Sequence, residues 1–190
     1  MPKIADIQET PNPNAVKFIL KEAVSHGTSH SFKTAADALS DKLATSLFEV
    51  GDVESVFYMD KMITVEKTDA IEWDEILPLL AVPIRAADSV AATNGNGNGN
   101  AAASVGGAIA AAASDDPKLR MIDALLDERI RPYLAGDGGW LEIIELADSK
   151  LTIRYQGACG SCPSSLTGTL MAIENMIQEE IDPEISVVAI

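Results

Sequence analysis

Residues 150–190 read KLTIRYQGACGSCPSSLTGTLMAIENMIQEEIDPEISVVAI. Lys150 to Gln156 reads as a strand with apolar Leu151, Ile153 and Tyr155 at alternate positions. Gly157 to Cys162 is a turn. Pro163 then suits a first helical position, where its missing N–H would have no helical partner anyway. Leu166, Leu170, Ile173 and Ile177 fall on one face of the helix that follows. Asp182-Pro183 stops that helix, and Ile185 to Ile190 reads as a last strand.

Upstream, Ser114-Asp115-Asp116-Pro117 is an N-cap with proline just inside it. The helix it opens carries Leu119, Ile122, Leu126 and Ile130 on one stripe. Pro132 ends it or begins a last turn to Leu134. Gly136-Asp137-Gly138-Gly139 is a turn that needs a left-handed residue. Trp140 to Leu146 is then a strand. Its leading aromatic reads as packing on the core, with a partner contact as the alternative. Residues 115–190 thus have the order α-β-β-α-β, an α+β domain.

Residues 1–85 predict a second small α+β domain. Ile4 to Gln8 and Ala15 to Leu20 are strands around Thr10-Pro11-Asn12-Pro13-Asn14, where each proline disfavours helix before it. Thr34 with Asp37 resembles a capping box, opening a helix through Leu39 and Leu43. Val53 to Met59 and Met62 to Lys67 form a hairpin about Asp60-Lys61. Asp69 with Glu72 caps a further helix whose stripe is Trp73, Ile76, Leu77 and Leu80, short or kinked at Pro78. His26 and His30 are read as exposed loop histidines, because a metal pair would need more ligands nearby.

Between the domains, residues 86–114 read AADSVAATNGNGNGNAAASVGGAIAAAAS. Without large side chains to bury, such a stretch cannot offset its ordering entropy, so a flexible tether is expected. Its reach as a Gly-rich coil is about 30 Å. Gly95, Gly97 and Gly99 do not have the spacing of a nucleotide-binding turn.

The 190 residues carry 29 acidic and 14 basic side chains, a net charge of −15. Both domains share the acidity. Nucleic acid and anionic membranes need a basic footprint, so neither is an expected partner. No apolar run of membrane-spanning length occurs. Neither a secretory nor an Arg-rich targeting pattern opens the chain. The expectation is a cytoplasmic protein of bacterial type, or a mitochondrial matrix protein in processed form. Two cysteines cannot build a disulfide scaffold.

Both cysteines fall in one motif, Cys159-Gly160-Ser161-Cys162. The N–H groups of a helix start stabilise thiolate, the form that binds soft metals and attacks disulfides. Three chemistries follow. A thioredoxin-like redox pair also sits between strand and helix, but that fold needs more chain after its motif than the 28 residues present here. Structural zinc needs four ligands and finds two. An iron–sulfur cluster also calls for four thiolates, which a symmetric dimer would supply from two chains.

The block Gln156-Gly157-Ala158-Cys159-Gly160-Ser161-Cys162-Pro163-Ser164-Ser165, with Ile130-Arg131-Pro132-Tyr133-Leu134 and Asp137-Gly138-Gly139, closely resembles the C-terminal domain of the NifU family, the Nfu-type iron–sulfur carriers. Thr10-Pro11-Asn12-Pro13-Asn14-Ala15-Val16-Lys17-Phe18 resembles the Nfu N-terminal domain. The resemblance implies a non-enzymatic carrier. It receives a [4Fe–4S] cluster from upstream assembly proteins, holds it between two subunits through Cys159 and Cys162, and passes it to apo [4Fe–4S] enzymes. It also implies that the N-terminal domain contributes to partner recognition.

Overall fold

The computed structural model describes residues 1–89, 116–158 and 163–190, the side chains of residues 163–167 excepted. The tether expected over residues 86–114 lies outside the described residues from Val90 on, and Ala86 is the last residue of a helix. The chain divides into two compact units.

The first unit runs β1 (Ile4–Glu9), β2 (Ala15–Leu20), β3 (His30–Phe32), α1 (Lys42–Phe48), β4 (Val53–Met59), β5 (Met62–Lys67) and α2 (Trp73–Ala86). The strands pair antiparallel in the order β1-β2-β5-β4-β3. Phe18, Ile63, Val65, Val56 and Tyr58 bury one face of this sheet with Leu47 of α1 and Ile76, Leu80 and Ile84 of α2. The β4–β5 hairpin turns at Asp60, which adopts a left-handed φ of 49°. The Asp60 carboxylate accepts the Gly27 N–H at 2.6 Å.

The structure departs from four local expectations. Thr34 and Asp37 do bond to each other, Oγ1 to Oδ2 at 2.8 Å, but they close a turn rather than open a helix. Helix α1 starts at Lys42, because Asp41 caps it by accepting the Ala44 N–H at 2.8 Å, and Leu39 is left exposed. Asp69 does not cap α2; its carboxylate accepts from the Asn14 side-chain amide at 2.6 Å. Glu72 takes the cap position with no side-chain bond. Nor is α2 short: it runs 14 residues with Pro78 and Pro83 inside it. Burial of Ile76, Leu80 and Ile84 on its core face offsets the two missing helical N–H bonds.

His30 is the fourth, since it belongs to β3 rather than to a loop. Its ring stacks on Tyr58 at 4.5 Å with 14° between planes. Burial lowers its pKa below the usual 6.5, partly opposed by Asp41. As pH falls below 6.5 the unfolded chain therefore takes up this proton before the folded one. Stability present above that pH is lost as it is lowered toward the folded pKa. The thermal transition of the first unit should drop between about pH 7.5 and about pH 5.5. His30→Phe, which keeps a ring on Tyr58, should remove that part of the pH dependence; an unchanged slope would refute the assignment.

The second unit runs α3 (Pro117–Arg129), α4 (Arg131–Gly136), β6 (Gly139–Ala147), β7 (Lys150–Gly157), α5 (Pro163–Glu180) and β8 (Ser186–Ala189). This is the α-β-β-α-β order with its first helix in two pieces. Asp116 caps α3 by accepting the Lys118 N–H at 2.8 Å, with Pro117 just inside. The sheet order is β6-β7-β8, β6 antiparallel and β8 parallel to β7. A parallel neighbour needs a crossover, and α5 is that crossover. Leu141, Ile143, Leu151, Ile153 and Tyr155 face Leu119, Ile122 and Leu126 of α3 and Ile173 and Ile177 of α5 in one core. The Val187 N–H donates to Glu174 at 2.8 Å, tying β8 to the crossover helix.

Candidate functional site

Cys159 and Cys162 lie outside the described residues, in the segment 159–162 between the end of β7 and the start of α5. The structure therefore defines the frame on each side of the pair. β7 ends at Gly157 with a left-handed φ of 66°, a conformation a side chain would disfavour. Gly157 pairs across the ladder with Gly139. The Ala158 N–H donates to the Gly138 carbonyl at 3.2 Å, and the Ala158 side chain is buried. Gly138 itself has φ 77°. The Asp137-Gly138-Gly139 turn thus pins the residue directly before Cys159.

That turn is held in its own right. Arg131, the first residue of α4, has a side chain only 10% exposed. Its Nε donates to the Leu141 carbonyl at 3.1 Å. Nη1 reaches Asp127 at 2.6 Å and Nη2 reaches Asp123 at 2.8 Å. The guanidinium carbon lies 5.4 Å from the centre of the Trp140 ring. A planar fork with five donors can serve a carbonyl, two carboxylates and an aromatic face at once. The bracket joins α3 and α4 to the first residues of β6, and through Gly138 and Gly139 to the cysteine segment. Sequence reasoning missed it, although Asp123, Asp127 and Arg131 stand four residues apart along the helical stretch.

Trp140 is also placed differently from the expectation. It alternates with core-facing Leu141 and Ile143, lies outside the core cluster, and is half-buried beneath Arg131. On β7, Gln156 alternates likewise with core-facing Tyr155. Its buried amide donates to Glu142 at 3.0 Å, and Arg154 lies 3.7 Å from the same carboxylate. Arg154 is the last basic residue of the chain, so α5 brings no cation to the segment it follows.

Among the described residues no group of three or more His, Cys, Asp or Glu side chains could hold a metal ion. No described helix is long and apolar enough to cross a membrane. Thiolate is a donor that suits iron–sulfur clusters and zinc, and Cys159 and Cys162 are the residues of this sequence that could supply it.

A family model described as scaffold protein Nfu/NifU N terminal matches residues 4–88, and one described as NifU-like domain matches residues 122–188. The human NFU1 iron-sulfur cluster scaffold homolog, mitochondrial, is 35% identical over 179 residues, covering 94% of this chain and 68% of that protein. Its namesake from Drosophila willistoni is 34% identical over 179 residues, with 94% and 60% covered. The chain thus spans about 60% of the fly relative. Among solved structures, protein SAV1430 from Staphylococcus aureus is 29% identical with a TM-score of 0.39, covering 43% of this chain and 98% of that one. A NifU-like protein from Saccharomyces cerevisiae is 27% identical with a TM-score of 0.38, covering 42% and 72%.

Proposed function

This chain belongs to the Nfu/NifU family of iron–sulfur cluster scaffold proteins, and from that premise we propose that it carries a [4Fe–4S] cluster as cargo, held between two copies of the chain by Cys159 and Cys162 of each. The observation that carries this reading is the placing of both cysteines of the chain in one Cys-x-x-Cys at the β7–α5 junction. Four thiolates complete a cluster's ligand shell, and a two-fold axis supplies them from two such motifs.

Four thiolates around a cluster leave net negative charge. With no basic side chain after Arg154, backbone N–H groups at the start of α5 are the compensating charge. Such a site holds its cargo loosely. An acceptor's thiolates replace those of Cys159 and Cys162 one at a time, and the cluster passes to an apo [4Fe–4S] enzyme. The role is delivery, with upstream assembly proteins as donors and no catalysed turnover. Residues 1–85, 86–114 and 115–190 act as a recognition domain, a tether and a cluster domain. The tether raises the effective concentration of the cluster domain near a docked recipient. The matched relatives are named as mitochondrial, which supports the mitochondrial alternative over the cytoplasmic one.

The test is transfer. Cluster-loaded protein mixed anaerobically with an apo [4Fe–4S] enzyme and an iron chelator should restore that enzyme's activity. Free iron and sulfide under the same chelator should not. Equal restoration in both arms would overturn the carrier reading. Disulfide reduction by the metal-free protein, catalysed over many turnovers, would favour a redox enzyme instead.

A further inference from the structure

The first unit holds a cleft of about 530 Å³, a volume within the range of ligand sites. It opens between the start of α1, the C-terminal end of α2 and Tyr58 of β4. Val24, Leu43 and Pro83 give it apolar walls, while Asp41, Lys42 and Asp88 bring its charges. Nothing in the cluster chemistry uses this cleft.

Two of its three charged side chains, Asp41 and Asp88, are acidic. Asp41 spends one carboxylate oxygen on the Ala44 N–H at 2.8 Å and the other on the Tyr58 hydroxyl at 2.5 Å. A carboxylate can accept about four hydrogen bonds, which leaves acceptor capacity beside those two contacts. Ala86 and Ala87 bring the last turn of α2 to the rim. Carbonyls of a last helical turn carry partial negative charge. Asp88 adds a full one. Against these stands Lys42, whose side chain is exposed to solvent. Tyr58 stays a neutral phenol, because burial and then Asp41 push its pKa well above 10.

We propose that this cleft docks a basic segment of a recipient protein, with an Arg or Lys side chain directed at Asp41 and Asp88 and its aliphatic stem along Leu43 and Pro83. Arginine and lysine lay their stems on apolar surface while their heads take hydrogen bonds, which matches a cleft with apolar walls and acidic ends. Charge complementarity extends beyond the cleft, since the chain carries a net charge of −15 and attracts basic surfaces at long range. The proposal rests on the carrier reading only in naming this partner as a recipient. The docking itself needs no cluster.

The experiment uses the full-length apo-protein and two blocked peptides, Leu-Arg-Leu-Arg and Leu-Glu-Leu-Glu, followed by backbone amide shifts. The Arg peptide should move Asp41, Tyr58 and Ala87 and leave α3 to β8 unmoved. The Glu peptide should move none of them. Asp88→Asn, and Asp41→Asn with its helix cap kept, should each weaken Arg-peptide binding about fivefold, and Lys42→Ala should not weaken it. Equal response to both peptides, shifts confined to other surfaces, or affinity unchanged in both Asn variants would each overturn the proposal. Loss of docking with cluster transfer intact would refute this cleft alone. Docking without any cluster binding would refute the carrier reading alone.

Discussion

Serine in place of both Cys159 and Cys162 is expected to bring iron retained after anaerobic reconstitution down to background, with acid-labile sulfide falling in step. A serine hydroxyl does not ionise near neutral pH and is a harder donor than thiolate, so the exchange removes the ligand and leaves the volume nearly unchanged. Because so little volume changes, the variant should keep the thermal transition of the second unit. That combination separates ligand loss from unfolding. Single Cys159→Ser should lose nearly as much, because a two-fold site then loses two of its four thiolates at once. Iron retained at wild-type yield in either variant would remove the ligand assignment.

Arg131→Met carries the second large effect. The substitution keeps most of the stem and deletes the donors that serve Leu141, Asp123 and Asp127. Two carboxylates and a buried carbonyl lose their partner together. The cost should be about 2–3 kcal/mol, seen as a fall of roughly 10–20 °C in the transition of the second unit. Arg131→Lys should recover only part of it, since an ammonium cannot reach two carboxylates and a carbonyl in one plane. The double variant Asp123→Asn with Arg131→Met should cost less than the sum of the two single changes. Because Gly138 and Gly139 hold Gly157 and Ala158, Arg131→Met should also shorten the lifetime of a bound cluster below the unfolding midpoint. A loss under about 0.5 kcal/mol would show the bracket to be an ordinary surface ion pair.

Much of the fold could be read from the chain because local chemistry and tertiary packing agree there. The two prolines of Thr10 to Asn14 leave little choice but a turn, and Asp60-Lys61 lies between two β-rich runs. Pro117 follows the capping Asp116, and Asp182-Pro183 ends α5. Reading failed where two local signals compete. Thr34 with Asp37 and Asp41 with Ala44 are both plausible caps seven residues apart, and only packing decides. Asp41 wins because it also receives the buried Tyr58 hydroxyl from β4, a residue distant in the chain. Asp69 was drawn from its cap by Asn14, 55 positions away. β3 is three residues long and exists by pairing with β4, so no pattern of its own announces it. The Cys-x-x-Cys motif of Cys159 and Cys162 stands in the sequence itself, and the ligand role given to it is a proposal. The Arg131 bracket and the glycine pairing that frame the motif were not legible there, because they join residues across the sheet.

The central claim is that one cluster is shared by two chains. Native mass measurement with Mössbauer spectroscopy on the anaerobically reconstituted full-length protein tests it most directly. The account predicts a species of two chains holding about four iron atoms in a single [4Fe–4S] environment, which reverts to cluster-free chain when a chelator strips the iron. A complete [4Fe–4S] cluster on a single chain, or a loaded dimer whose iron survives the double serine exchange, would contradict it.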